Sequence, residues 1–266
     1  LSIADRMTLA NVTAEMGLKS AAFPPDDKLA DYFGDYAVQG VWADRDAMYY
    51  KEFEVDLAQV IPLVMEVGEI NEIKAPGEWG RLEIQQGLIG ACASGRLEDL
   101  RVVARILDGK KIASGFQLSI VPASREIYLQ AIQEGIIDRL VKSGASILGS
   151  SCGPCLGSSH MIMADTRRFI TTVNSNSMRR LSAIGVEKYV ASPATVAMTA
   201  LTGVLTVEVE RTDAKYPYWE MPKVWVTVNE FERRYHNRVW NYGDLNSIAC
   251  EQLFDEACTY RIAPDN

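Results

Sequence analysis

Two cysteines stand three positions apart in Gly149-Ser150-Ser151-Cys152-Gly153-Pro154-Cys155-Leu156-Gly157-Ser158-Ser159, a run dominated by small residues. A CxxC pair serves a zinc knuckle, a redox dithiol or an iron–sulfur cluster, and its surroundings separate these. A redox dithiol normally sits at a helix N-terminus, which lowers the pKa of one thiol. A small-residue loop instead lets backbone approach a bulky inorganic group and aim N–H groups at its sulfides. A third cysteine, Cys92, occupies a similar loop, Gly90-Ala91-Cys92-Ala93-Ser94-Gly95, with 59 residues between it and Cys152. Structural zinc wants four closed ligands, and an electron-carrying [4Fe–4S] cluster usually has four cysteines. Three thiolates on a cubane leave one iron without a cysteine ligand, a Lewis acid able to bind a hydroxyl and a carboxylate. Chemistry alone leaves two rivals open: a zinc site completed by His160, or a buried cysteine beside an unrelated dithiol.

The elements needed to bring these loops together are legible in the pattern. Leu82–Ile89 reads as a strand entering the Cys92 loop, and Leu97–Leu107 as a helix with Leu97, Leu100, Val103, Ala104 and Leu107 on one face. Gln117–Val121 reads as a strand, Arg125–Glu134 as a helix closed by Gly135, and Ile136–Ser143 as a helix ended by Gly144. Ala145–Leu148 is a strand entering the CxxC loop, and Phe169–Val173 and Tyr189–Ala191 are two more. Ser192-Pro193-Ala194 opens a helix over Thr195–Leu201. Strands alternating with helices predict a parallel or mixed sheet covered on both faces, a three-layer α/β/α domain. Loops at the carboxyl ends of such strands bind ligands, and both cysteine loops fall there.

Towards the ends of the chain the pattern changes. Residues 1–22 read as a helix with Gly17 near its stop, and Asp26 or Asp27 caps a short helix through Tyr32-Phe33. Phe53–Leu57 alternates like an edge strand, whereas residues 66–83, rich in Gly, Glu and Pro, read as a loop or linker. Residues 206–266 form an extension with β-rich stretches at Val204–Arg211 and Val224–Val228, an aromatic turn at Tyr216–Trp219 and a helix over Cys250–Cys258. Cys250 and Cys258 are most simply core thiols.

Composition sets outer limits. A chain of 266 residues, 48% hydrophobic and 23% charged, is long and apolar enough for one large domain or two ordinary ones. The net charge of −8 argues against non-specific nucleic-acid binding while leaving room for a local basic patch. No apolar run reaches the roughly 20 residues of a membrane span. The opening Leu1-Ser2-Ile3-Ala4-Asp5-Arg6 lacks the layout of a signal peptide and an initiator Met, the expectation being a processed chain or one piece of a longer polypeptide. Five cysteines, an odd count including a CxxC, favour a reducing, cytoplasmic compartment over a disulfide framework.

Gly90-Ala91-Cys92-Ala93-Ser94-Gly95-Arg96-Leu97-Glu98-Asp99-Leu100 resembles the first cluster-ligand motif of the aconitase and 3-isopropylmalate dehydratase family, and Ser151–Gly157 resembles its paired-cysteine signature. Val121-Pro122-Ala123-Ser124, Met7–Asn11 with Glu15, and Tyr189–Thr195 are similar to further family segments, in order, over residues 1–205. The resemblance implies an aconitase-like cluster-binding domain over 1–205 and a [4Fe–4S] cluster on Cys92, Cys152 and Cys155 with one iron not bound by cysteine. It makes Asn11 and Glu15 catalytic-side polar groups, which the i, i+4 spacing would put on one helix face. It makes Asn174 the Asn beside the cluster and Arg180 a carboxylate-binding arginine, for which a guanidinium fork is suited. Arg96 falls in the first cysteine loop, where a substrate role and a structural one are both open, and His160 reads as a hydrogen bonder near the cluster.

The sequence departs from the family where it reads Asn174-Ser175-Asn176-Ser177-Met178-Arg179-Arg180 in place of Asn-Arg-Asn-Phe-x-Gly-Arg. Ser175 thus replaces one carboxylate clamp. Ala93-Ser94 stands where Thr-Asn is usual. The family's N-terminal half with its Asp–His pairs has no counterpart, since His160 and His236 are the only histidines. Asn237–Asp244 only faintly resembles the opening of the family's swivelling domain. The expectation is a hydro-lyase (a dehydratase, or an isomerase by dehydration and rehydration) acting on a small hydroxy carboxylic acid. Its site would be completed in a hetero-oligomer by a chain carrying the N-terminal half and by a swivelling-domain subunit. Two alternatives stand beside it: an open iron used for sulfur-transfer or desulfurising chemistry, and a non-catalytic subunit.

Overall fold

A computed structural model describes residues 1–34, 40, 42–68, 72–153, 155, 168–174 and 186–206. The chain divides into two compact units, one holding Leu1–Gln59 and the other beginning at Val60.

The second unit is organised by a seven-stranded sheet among the described residues, in the order β2-β1-β7-β6-β3-β4-β5. Its strands are β1 (Val64–Glu66), β2 (Glu72–Lys74), β3 (Gln86–Gly90), β4 (Gln117–Val121), β5 (Ser146–Ile147), β6 (Arg168–Thr171) and β7 (Glu187–Val190). The five strands from β7 across to β5 run parallel, and β1 and β2 add antiparallel at one edge. The sheet is therefore mixed, as the alternation of strands and helices predicts. From β3 the chain steps outward to β4 and β5, then returns to the other side of β3 for β6 and β7. That reversal makes the carboxyl ends of β3 and β6 a topological switch point, where strand order opens a crevice.

Helices α4 (Leu97–Leu107), α5 (Arg125–Gln133), α6 (Ile136–Ser143) and α7 (Pro193–Thr202) cover one face. The stripe Leu97, Leu100, Val103, Ala104 and Leu107 of α4 is buried there with Ile89, Ile120 and Ile170 from the sheet. Because successive strand residues point to opposite faces, their neighbours Leu88, Val121 and Phe169 form a second, smaller core on the other side. Burying a single Leu such as Leu100 or Leu107, both fully inaccessible, contributes roughly 1.5–3 kcal/mol. Two helix starts have a plain local cause: Ser124 and Ser192 accept the N–H groups of Ile127 and Thr195, and Pro193 fits the first turn of α7.

Three stretches differ from the sequence expectation. The helix expected over residues 1–22 is α1 (Ile3–Val12), followed by a 3₁₀ turn over Thr13–Met16. The Thr13 hydroxyl donates to the Ala10 carbonyl, and Gly17, at φ 76°, closes the turn. Phe53–Leu57 pairs with no strand among the described residues, and Asp56 instead accepts the Ala58 N–H and starts a 3₁₀ turn over Leu57–Gln59. The stretch 66–83 is not a plain loop, since it carries the end of β1, the edge strand β2 and a 3₁₀ turn at Pro76–Trp79. Strand β3 also begins later than expected, because Leu82 and Ile84 exchange hydrogen bonds with Leu205 and Gly203 instead. Asp26 caps α2 (Asp27–Phe33) as anticipated. The stretches expected as β-rich or helical beyond residue 206 lie outside the described residues.

One ion pair ties the helical layer together. Arg101 of α4, nearly buried, donates to both carboxylate oxygens of Glu134 at the end of α5, at 2.7 and 2.5 Å. Bidentate charge-assisted pairs shielded from water are strong, and removing one partner strands the other. Arg101→Ala is expected to lower unfolding free energy by ~1–3 kcal/mol in urea titration. The double replacement Arg101→Met with Glu134→Gln is expected to cost less than Arg101→Ala alone.

Candidate metal centre

The first cysteine turn grows directly from the end of β3. Gly90 takes φ 115° and Ala91 φ 57°, two successive residues on the left-handed side, and the chain swings into the short helix α3 (Ala91–Ser94). Gly90 has no alternative: a Cβ there would lie 2.0 Å from the Val121 carbonyl oxygen at the end of β4. Gly95 is held as closely, since its Cβ would sit 2.6 Å from the carbonyl oxygens of both Ala91 and Val121. Small residues in this loop thus answer to the packing of two adjacent strand ends. Ala123 N–H donates to the Gly95 carbonyl at 2.8 Å, tying the turn to the chain after β4.

Cys92 is exposed on this turn. Cys152, also exposed, and Cys155, buried, follow β5, two strands away along the same carboxyl edge. Cys155 packs with Leu88, Ala91, Val121, Phe169 and Val173, so the second cysteine loop reaches back beneath the first. The thiols sense one another. Burial above all, with a smaller push from the sulfurs of Cys92 and Cys152, raises the Cys155 thiol to about 11. A cationic group among the three would relieve both penalties, and thiolate is the form that ligates metal. Among the described residues no three Cys, His, Asp or Glu side chains are gathered tightly round a single point. The fit to an inorganic cluster therefore rests on the all-sulfur donor set and on the glycine-shaped cradle.

The other expected site residues divide three ways. Asn174 lies just after β6, across the switch point from the Cys92 turn, with its side-chain carbonyl oxygen buried. Arg96 donates from Nη1 to the Ala93 carbonyl at 2.8 Å, and its backbone N–H donates to Asp99, so it braces the cysteine turn. Asn11 and Glu15 belong to the other unit. There Asn11 lies in the last turn of α1 and Glu15 in the 3₁₀ turn, so the one-face relation expected from a continuous α-helix does not carry through. Ser175, Arg180, His160 and Cys250 and Cys258 lie outside the described residues. One residue sequence reasoning missed is Thr172, whose hydroxyl accepts the Gly90 N–H at 2.9 Å. Its signal was only a Thr pair at a strand end, indistinguishable from ordinary β-propensity.

Residues 67–203 match the aconitase family (aconitate hydratase). The chain belongs to that family. Among its relatives, the 3-isopropylmalate dehydratase large subunit of Clostridium beijerinckii is 41% identical over 210 residues, covering 77% of this chain and 50% of that one. A probable methanogen homoaconitase large subunit of Methanosarcina mazei is 40% identical, covering 77% and 53%. The aconitase family member described here thus spans about half the length of the curated relatives it matches. A solved structure of aconitase X from Thermococcus kodakaraensis aligns with 39% of this chain at TM-score 0.29 and 24% identity, too slight a likeness to carry weight. No helix among the described residues is long and apolar enough to cross a membrane.

The contrast between the buried and exposed thiols gives a direct test on cluster-free protein. At pH 8, Cys155 should react with iodoacetamide on the order of 100-fold more slowly than an unperturbed thiol, as a rise of about two units in pKa implies. Its labelling should climb as pH approaches 11, read by mass spectrometry of the modified peptides. The same shift makes the cluster-free fold lose stability as pH rises from about 9 towards 11, because the unfolded thiol ionises first. Equal labelling of all three cysteines at pH 8 would remove the buried site.

Proposed function

We propose that this chain is the cluster-bearing part of a [4Fe–4S]-dependent hydro-lyase of the aconitase family, acting on a small hydroxy carboxylic acid. The observation that carries the reading is that the loops of Cys92 and of Cys152 and Cys155 leave one parallel sheet at the same carboxyl edge, with Cys155 packed against Ala91 of the Cys92 turn. Members of this family carry such a cluster, and relatives of this chain are named as isopropylmalate dehydratase and homoaconitase large subunits. Bound on three thiolates, the cluster supplies an iron without a cysteine ligand, a Lewis acid for a substrate hydroxyl and carboxylate.

The chain's own residues then have these tasks. Cys155 anchors from the apolar floor of Leu88, Val121 and Phe169, while Cys92 and Cys152 bind from the exposed side. Asn174 lies on the β6 side of the crevice, Ser175 keeps the substrate-side role that the family resemblance gives its position, and Arg180 holds a substrate carboxylate through its guanidinium fork. Arg96 braces the cysteine turn through the Ala93 carbonyl and adds positive charge beside an anionic substrate. Asn11 and Glu15, in the other unit, keep the catalytic role that the family resemblance gives them, Glu15 as an acid–base group. The base that removes the proton alpha to the carboxylate comes from another chain, in a hetero-oligomer with a chain carrying the N-terminal half and a swivelling-domain subunit. A reducing, cytoplasmic setting suits three thiolates of this kind.

Two measurements test the proposal. Anaerobically purified protein should be brown and hold about four irons and four sulfides. Changing Cys92, Cys152 or Cys155 singly to Ser should abolish that colour, whereas changes at Cys250 or Cys258 should not. Stoichiometric zinc in anaerobic material would overturn it.

For the substrate side, Arg180→Lys should reduce kcat/KM for a hydroxy-diacid by about 10- to 150-fold in the reconstituted complex, since lysine keeps the charge but loses the fork. The visible spectrum of the cluster should stay unchanged. Unaltered kinetics would take Arg180 out of the site.

A further inference from the structure

The β3–β6 ladder stops one residue short of the cysteine turn. Paired residues run from Gln86↔Phe169 to Leu88↔Thr171, and beyond them the two strands part at the switch point. Backbone groups freed by such a parting need other partners, because a buried N–H without one costs about 1–3 kcal/mol. Thr172 supplies one. Its own N–H makes the last bond of the ladder, to the Leu88 carbonyl at 3.1 Å, and beyond it the Thr172 hydroxyl accepts the Gly90 N–H at 2.9 Å. Thr172 is itself buried, 6% exposed. Next to it, Val173 N–H donates to the Thr171 hydroxyl, fixing the start of the Asn174 loop.

Gly90 is the residue that most needs fixing. It stands at φ 115° with no room for a Cβ, and it sets the direction in which the chain leaves towards Cys92 two positions later. On the β4 side the turn is held through the Gly95 carbonyl, and from within by Arg96 on the Ala93 carbonyl. On the β6 side the Thr172 side chain is the contact that reaches the turn's first N–H, so loss of that hydroxyl leaves one flank of the turn unsupported.

We infer that Thr172 is a positioning residue: its hydroxyl ties the end of β6 to Gly90 and so holds the turn that carries Cys92 in the conformation in which Cys92 serves as a cluster ligand. The inference rests on the functional reading above, since it concerns the fit of these residues to a cluster. It separates Thr172 from an ordinary buried threonine such as Thr199, whose hydroxyl donates to the Thr195 carbonyl within α7, away from the cysteines.

The test compares Thr172→Val, Thr172→Ser and Thr199→Val with the wild type in the full chain, purified anaerobically. Iron and sulfide content, the rate of cluster loss in air and the midpoint of urea unfolding are measured together. Thr172→Val should lose its cluster about tenfold faster than wild type, the scale of one stranded buried N–H. In cluster-free protein, exchange of the Gly90 amide should quicken and the iodoacetamide reactivity of Cys92 should change. Thr172→Ser, which keeps the hydroxyl, should restore all three readouts. Thr199→Val should shift the urea midpoint without touching cluster lifetime. If Thr172→Val folds and keeps a cluster of wild-type lifetime, or loses it no faster than Thr199→Val, the positioning role is overturned. If Thr172→Val does not fold, Thr172→Ser decides: a shortened cluster lifetime in a variant that keeps the hydroxyl also overturns it. A wild-type protein that binds no iron–sulfur cluster would fail the functional reading itself, whatever Thr172 does to the amide exchange of Gly90.

Discussion

Parallel pairing is the constraint from which the site follows. Strands β6, β3, β4 and β5 run side by side in one direction, so the chain leaves each of them at the same edge. The loops of Cys92 and Cys152, with 59 residues between the two cysteines, come to one edge only because of that pairing. The parallel arrangement in turn requires crossover helices, and α4, α5 and α6 serve as those crossovers while burying one face of the sheet. Loosening the helical layer would therefore disturb the cysteines without any contact to them, which gives the Arg101–Glu134 pair a place in the same account.

Within that frame the three thiols are not equivalent. Cys155 is sunk into apolar side chains and held as a thiol, whereas Cys92 and Cys152 face outward. Burial and like-charge proximity both oppose ionisation of Cys155, and nothing apolar in its surroundings can compensate. A bound cation at Cys155 would offset both, in keeping with the cluster proposed above. The strain at Gly90 and Ala91 points the same way, since left-handed residues in succession are kept where surrounding structure demands them.

How far the sequence could be read depended on whether a segment's structure was set locally. Helix α4, strand β4 and helix α6 lie where their residues predicted, because apolar periodicity and the glycines after α5 and α6 agree with the packing they meet. Strand β2 escaped notice because Glu72-Ile73-Lys74 has no strand signature of its own and exists through its pairing to β1. Phe53–Leu57 failed in the opposite sense: it has the alternation and meets no partner strand among the described residues. The cysteines were legible as a set because three of one reactive type in small-residue loops is rare by composition. Thr172 was not, because its importance lies in where two strands separate, and separation is a property of the sheet.

The same logic bears on the substitutions that set this chain apart from its family. Ala93 gives its carbonyl to Arg96, a bond made through its backbone. Backbone bonds survive a change of side chain, so the turn that carries Cys92 tolerates Ala93-Ser94. Its tolerance ends at Gly90 and Gly95, where a Cβ meets backbone rather than a movable side chain. Those two glycines, with Thr172 where β3 and β6 part, are the positions at which the fold itself specifies the first cysteine turn.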